Sequence, residues 1–544
     1  MSTQPPFPKD LIQDIRLKPQ LQADPVLRGA KEIYYAQFLG NGDSSGLTFN
    51  CPPKTPYSEI DRHMQIVVPV RITITIPTGV PPAEYIMDND RCNFRSYPIH
   101  KALESMTMSI NNQSFSVRLG PFVAGIEHYN TSRRLKLLNY SKTPTYGCCQ
   151  CQNFHDLDSG TRSELTFFAN SLAGIAPQNF PFTVVSNTNT GTGSATAVID
   201  ALFIESIWLS PLQCGEWFDD EQAFKGIRNF SFNFKFLPNA GNRMLAVDSY
   251  YLNSIPGSAA TPTTTMQIGF SGAEATPFSY ADLKPKLLIN FLEPQCGKPS
   301  IEPNYLRQFE FQHYTKSHTT TLAAAAQLEL ATDYIKLNAR PRKFYIFVQR
   351  PLSDFTDSPY HPDVFFGIES LEIEWNGVTI FAGAHMAQIY DICVKNGLQL
   401  EYATWRGLGY NNGIAGGSGY ATSANQFAST GTVICLDVMD MGLSEQFTST
   451  KTTQFTIRVK VTTKNIAKVA QTPVLNLVVL TDYMIKMEKQ NIETKIHPAV
   501  TFFNEATDCK FEPNGPLTLK LQADRKGDWK EQRNFIKPGD VYPF

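Results

Sequence analysis

In "ESMTMSINN", Glu104 to Asn112, apolar Met106, Met108 and Ile110 alternate with polar Thr107 and Ser109. In an extended chain the first set falls on one face and the second on the other, which predicts a half-buried strand. A second stretch, "ESLEIEWNG" from Glu369 to Gly377, stands 265 residues downstream (369 − 104) with its register unchanged: Leu371, Ile373 and Trp375 inward, Glu372 and Glu374 outward. Each strand runs into residues that tolerate the positive φ of a two-residue type I′ hairpin, Asn111-Asn112 in one and Asn376-Gly377 in the other. The chain is expected to reverse there, with "SFSVRL" and "VTIF" as the returning strands. Beyond the turn, "GPFVAGIEHYN" sets Phe122, Ile126 and Tyr129 at helical spacing, and "AHMAQIYDICVKNG" does so with Met386, Ile389, Tyr390 and Cys393. Met386 and Pro121 are again 265 apart, and Asn396-Gly397 suits a helix C-cap.

Strand patterns flank both copies. The first half carries "MQIVVPVRITITI", "ALFIESIWL", "NFSFNFKF", "TMQIGF" and "KLLINF"; the second carries "FEFQHY", "KFYIFVQ", "GTVICLDV", "TQFTIRVKVTT" and "VLNLVVL". About seven or eight strands per half, turn-rich segments between them and little sustained helical pattern signal an antiparallel sandwich or barrel. Two polar insertions, Ser186 to Ala195 and Asn411 to Gln426, hold too few apolar residues for a core and are expected as exposed loops. Two unrelated β-domains would also alternate. They would not repeat the Glu-Ser start, the Asn-containing turn and the following helix at one separation. The fold class expected is therefore all-β, two tandem antiparallel eight-stranded jelly rolls with short helices between strands: an N-terminal arm at 1–30, a first roll at 31–297, a second at 298–487 and a tail at 488–544.

Composition narrows the function. At 544 residues the chain exceeds what one core supports, roughly 250 to 300 residues. Charged residues make up 18% of the chain, below the roughly 25% of ordinary soluble proteins, as suits subunits that bury surface against neighbours. A net charge of −2 leaves no general field for nucleic acid or anionic membrane. The basic tracts Arg133 to Lys136 and Arg340 to Lys343 are short and read as solvated surface. No apolar run approaches the roughly 20 residues that span a bilayer, and the polar, proline-rich start lacks a secretory core. Seven of the ten cysteines (Cys51, Cys92, Cys214, Cys296, Cys393, Cys435, Cys509) stand singly and read as small buried hydrophobes rather than a disulfide framework.

The wording of the chain is informative beside this pattern. "FNCPP" at Phe49, "FRSYPI" at Phe94, "PRKFYIFVQ" at Pro341, and "PDVFFGIESLEIEWNG" at Pro362 running into "AQIYDICVKNG" resemble, in order and spacing, the double jelly-roll major capsid proteins of virophages and polinton-like viruses. That lineage includes adenovirus hexons. The resemblance runs from about Leu47 to Met487, and both ends of the chain depart from it. It implies a structural protein rather than an enzyme, without a cofactor. The implied form is a homotrimeric, pseudo-hexameric capsomer of an icosahedral shell around double-stranded DNA, assembled in the host-cell interior and resident in the virion. Partners would be neighbouring capsomers, penton and minor capsid or cement proteins, with at most weak nonspecific contact with packaged DNA. The long polar loops would form the outer top. The N-terminal stretch and the tail, with "PLTLKLQADRKGDWKEQRNF", read as arms to a neighbour, as local cover for a barrel, or as disorder.

Other chemistry has a thinner footing. Cys148, Cys149, Cys151 and His155 crowd within eight residues, but the spacing lacks the second pair of a zinc site, and loop thiols are the plainer reading over metal or redox chemistry. Glu216, Asp219, Asp220 and Glu221 invite comparison with glycosidase carboxylates, yet neighbours in sequence read as a solvated turn. Asp88 to Asp90 lacks the glycine and distal glutamate of a calcium loop. Phosphate loops, nucleophile elbows and HExxH are absent. The sequons at Asn130 and Asn229 read as chance without a secretory signal. The alternatives are a β-sandwich carbohydrate-binding protein or glycosidase, with Tyr410 and Tyr420 as aromatic platforms, and a vertex or spike protein, which usually needs a single roll.

Overall fold

The computed structural model describes residues 31–493 apart from several inter-strand stretches, the longest being 77–91, 131–181, 210–226, 248–262, 412–425 and 442–454. Eight strands recur in each half. The first set is β1 (Lys31–Leu39), β2 (Gly46–Asn50), β3 (Gln65–Ile76), β4 (Leu103–Ile110), β5 (Gln113–Val117), β6 (Ala195–Ser206), β7 (Phe230–Phe236) and β8 (Lys286–Pro294). The second is β9 (Asn304–Ser317), β10 (Gln327–Ala331), β11 (Pro341–Gln349), β12 (Gly367–Trp375), β13 (Val378–Phe381), β14 (Val433–Asp437), β15 (Phe455–Lys464) and β16 (Val474–Glu488). The first half pairs β1-β8-β3-β6 and β2-β7-β4-β5, and the second β9-β16-β11-β14 and β10-β15-β12-β13, all antiparallel. The order is the same in both halves, strand for strand. It places sequence-distant strands side by side in the Greek-key manner that two face-packed sheets of a jelly roll require.

Short strands widen these sheets, notably Phe182–Asn189 beside β6 and Thr263–Ile268 beside β3. The polar insertion after Ser186 is therefore not loop throughout: it begins as strand, because Ser186–Asn189 complete the backbone ladder to β6. Pro69, in the middle of β3, falls where the partner on one side changes from β8 (through Val67) to Thr263–Ile268 (from Val70), so on that side its missing N–H interrupts no continuous ladder. Helices fill the connections: α1 (Pro98–Ala102), α2 (Val123–Asn130), α3 (Ala240–Met244), α4 (Leu352–Asp357), α5 (Met386–Lys395) and α6 (Tyr402–Arg406).

In the duplicated strands, Met106, Met108 and Ile110 are buried opposite Phe234, Phe232 and Phe230 of β7. Leu371, Ile373 and Trp375 are buried opposite Val461, Val459 and Ile457 of β15. Trp375, 1% exposed, lies 5.2 Å from the Phe455 ring and 6.5 Å from Phe344, centroid to centroid. Asn111 (φ 51°), Asn376 (φ 49°) and Gly377 (φ 80°) have the left-handed backbone of the turns; Asn112 lies outside the described residues. Both first-position asparagines also use their side chains. The Asn376 N–H donates to Thr456 O (2.8 Å) while its Oδ1 accepts from Thr456 N (2.8 Å), and Asn111 does the same with Asn229 (2.8 and 3.2 Å). Glycine would allow the φ but not this second bond.

Two expectations need correction. Glu374 points outward but is only 8% exposed, because Lys460 (2.5 Å), the Tyr334 hydroxyl (2.9 Å) and Arg458 (3.7 Å) close over its carboxylate. The basic tract at Arg340 to Lys343 is not simply solvated surface: Arg342 and Lys343 belong to β11, and Lys343 is buried.

Candidate functional site: the seam between the rolls

The hairpins of both rolls lead into helices, but the two helices face different surroundings. After β5, the chain turns through Leu119–Phe122 into α2, with Val123 N and Ile126 N donating to Leu119 O and Phe122 O. Val123, Ala124 and Ile126 are buried, and the rest of the helix meets the second roll. Phe122 lies 5.7 Å from the Phe311 ring and 5.0 Å from His313; Tyr129 lies 5.7 Å from Tyr345, and its hydroxyl donates to Val433 O at 2.6 Å. Between them, Gly125 leaves room for Phe347: a Cβ there would come within 2.5 Å of the ring. The same Val433 carbonyl accepts from Trp405 Nε1 of α6 (2.6 Å), and Gln349 Nε2 donates to Pro121 O (2.8 Å). A helix of one roll is thus seated on the outward side of a sheet of the other.

Beside this apolar contact lies a buried polar cluster built from both halves. Asp363, just ahead of β12, accepts from Lys101 Nζ (2.8 Å) and Arg243, with Arg95 at 3.5 Å. Lys101 reaches on to Ser96 Oγ (2.8 Å) and Glu127 Oε1 (3.1 Å), and Ser96 Oγ donates to Glu127 Oε2 (2.9 Å). The Arg243 guanidinium also lies 4.6 Å from the centre of the Phe355 ring in α4, and Asn242 Nδ2 donates to Thr356 O (2.7 Å). Burial alone would raise the Asp363 carboxyl, but the opposing charges of Arg243, Lys101 and Arg95 hold it well below the ordinary carboxylate range. His128 of α2, edge-on to Phe365 at 6.1 Å, is pushed down to about 3 by burial and then by Lys101, against the pull of Asp363. It is neutral at neutral pH.

A second buried pair anchors α1. Glu205 at the end of β6 accepts from the backbone N–H of Ile99 (2.9 Å) and His100 (3.1 Å) and meets His100 Nδ1 at 2.5 Å. Because His100 Nε2 accepts from Trp208 N (3.2 Å), the ring proton belongs on Nδ1, donated to Glu205. These contacts hold α1, and with it Lys101, in position for Asp363.

Arg95 and Asp363 stand in two widely separated segments of the sequence, and the fold brings those segments together. Their one signal was a charge set in a mostly apolar stretch, "NFRSYPIHKAL" and "PDVFFG". Cys148, Cys149, Cys151 and His155, the carboxylates Glu216, Asp219, Asp220 and Glu221, Asp88 to Asp90, Tyr420, the tract Arg133 to Lys136, residues 1–30 and the tail beyond Glu493 lie outside the described residues. Tyr410 belongs to a two-residue strand paired with Gln426–Phe427. Cys51, Cys393 and Cys435 are buried free thiols; burial pushes Cys51 up to about 12 and Cys393 up to about 11. Among the described residues, no helix is long and apolar enough to cross a membrane, and no cluster of three or more His, Cys, Asp or Glu could hold a metal ion.

Residues 311–484, nearly all of the second roll, match the family model of the major capsid protein V20 C-terminal domain. The putative capsid protein V20 of Sputnik virophage is 25% identical over 530 residues, covering 95% of this chain and 84% of that protein. Among solved structures, the cryo-EM structure of the Sputnik virophage aligns with a TM-score of 0.71 at 20% identity, over 94% of this chain and 92% of that one. The mavirus major capsid protein aligns at 0.63 and 14% identity, over 86% and 92%. Two tandem rolls of one strand order, a V20-type match over the second roll and sequence likeness along nearly the whole length make this chain similar to the capsid protein of Sputnik virophage, with the fold of the virophage major capsid proteins.

Proposed function

We propose that the protein forms a homotrimer whose paired rolls, 31–297 and 298–487, make a pseudo-hexagonal tile, and that such tiles close an icosahedral shell around a double-stranded DNA genome. The observation that carries this reading is the identical strand order of the two rolls joined through a buried seam. Two near-equivalent units held at a fixed angle let a threefold assembly occupy a sixfold lattice position. The seam suits this role because a buried cluster whose carboxylates, Asp363 and Glu127, are paired across it penalises any misdocked arrangement that strands a charge. Assembly takes place in the host-cell interior. Neighbouring capsomers, penton proteins and minor capsid or cement proteins are the partners, and contact with DNA is weak and nonspecific, in keeping with a net charge of −2. Negative-stain electron microscopy of the purified protein tests the reading: hexagon-outlined trimers are expected, and monodisperse monomers at micromolar concentration overturn it.

A further inference from the structure

The seam within the chain predicts a second seam between chains. At the constant separation of 265, the residues of α2 that sit on the second roll, Phe122, Gly125 and Tyr129, correspond to Ala387, Tyr390 and Val394 of α5. Helix α5 buries Met386, Ile389 and Cys393 against its own roll, while Ala387 and Val394 stay exposed, Val394 by 46%. Tyr390, between them, packs half-buried against Tyr402 and Trp405 of α6, so Ala387 and Val394 are the part of the stripe left open.

The first roll leaves part of the matching face open: on β3 the outward Val67 and Arg71 are buried, Arg71 beneath Phe270 and the Thr276 and Pro277 carbonyls, but the edge along β1 is exposed. In the second roll, α2 covers the outward side of β9, β16 and β11, whose side chains there include Phe311, His313, Val478 and Tyr345. The equivalent strands of the first roll are β1, β8 and β3. Their inward residues Ala36, Leu287 and Ile289 are buried, but outward Tyr35 is 73% exposed and Leu39 56%, with Gln37 between them and Leu288 paired to Gln37 and Gln65. From Tyr35 to Leu39 this side of β1 carries no charge, with Lys286 of β8 opposite Leu39, and it shows large apolar side chains, as the covered face of the second roll does. Apolar positions left open on a helix and on a sheet edge of one chain are complementary across a heterologous contact, and such contacts close a ring when the rotation between copies closes, as a threefold does.

We infer that α5 of one copy docks on the outward β1-β8 face of the next copy, Ala387 and Val394 meeting Tyr35 and Leu39, so that seams within chains alternate with seams between chains around the ring. The inference rests on the proposed trimer and specifies which surfaces make it. The test uses the full chain and two kinds of variant. Val394→Asp and Leu39→Asp each place a charge at an exposed site, and native mass spectrometry at micromolar concentration is expected to show loss of trimer to folded monomer, with the far-UV circular dichroism spectrum unchanged. Leu39→Cys with Val394→Cys is expected, after mild oxidation, to give covalent dimers and trimers on a non-reducing gel, which neither single cysteine variant gives. Trimers that persist in both aspartate variants, together with no pair-specific cross-link, overturn the inference and leave the trimer standing. A monomeric wild-type protein overturns both.

Discussion

The outward faces of the duplicated strands differ more than their inward faces do. On β4 and β5 the outward residues are Thr107, Ser109, Ser114 and Ser116, and Thr107 Oγ1 donates to Ser116 Oγ at 3.2 Å. On β12 and β15 the same side carries Glu372, Glu374, Arg458 and Lys460, cross-linked by ion pairs of 2.5 to 3.7 Å and topped by Tyr334. Inward, one roll packs methionine on phenylalanine and the other tryptophan and leucine on valine and isoleucine, yet both keep the alternation. Period and turn are held because a one-residue slip would put the whole apolar set in water. The chemistry of the outward face is free to diverge, since either hydroxyls or paired charges satisfy their hydrogen bonds there.

The largest test of this contrast is Trp375→Ala, expected to cost about 3 to 5 kcal/mol in denaturant melts from lost burial and a residual cavity. Its counterpart Ile110→Ala is expected to cost about 2 to 5 kcal/mol. If Glu374→Ala proves the damaging change and Trp375→Ala the mild one, the equivalence of the two strands fails. Asp363→Ala asks whether the rolls are energetically one body: removing the acceptor leaves Lys101, Arg243 and Arg95 facing one another, a loss of about 3 to 5 kcal/mol. Separate unfolding of the two rolls in that variant, read as two calorimetric transitions where the wild type shows one, would locate the loss at the seam.

Asn111→Gly and Asn376→Gly keep the left-handed turn and delete only the side-chain acceptor, so each is expected to cost about 0.5 to 1.5 kcal/mol. Equal losses would show that the two turns work alike; a loss in one roll only would break the correspondence. The smallest effect belongs to Glu374→Gln. Hydrogen bonds from Lys460 and then Tyr334 hold this carboxyl below its ordinary value of 4.5, so its contribution is present above that pH and fades as pH falls through the lowered value. Thermal melts of wild type and variant are expected to differ near neutrality and to converge in acid. A gap that persists unchanged in acid would show that the ion pairs are not its source.

Sequence alone determined the local grammar. Alternation set which side of β4 and β12 is buried, Asn111 and Asn376-Gly377 set the reversal, and the 3.6-residue spacing set α2 and α5, because each depends on neighbours within a few residues. It did not show that Glu374 is covered, since Tyr334, Arg458 and Lys460 reach it from other strands. Nor did it show the seam. Lys101 and Asp363 are 262 positions apart, and two charges in apolar stretches look alike whether they meet or stay solvated. Only the tertiary structure decides that, because burying a charge is tolerable only where a partner is already held in place, and the holding is done by α1, α2 and α3 of one roll against the start of β12 in the other.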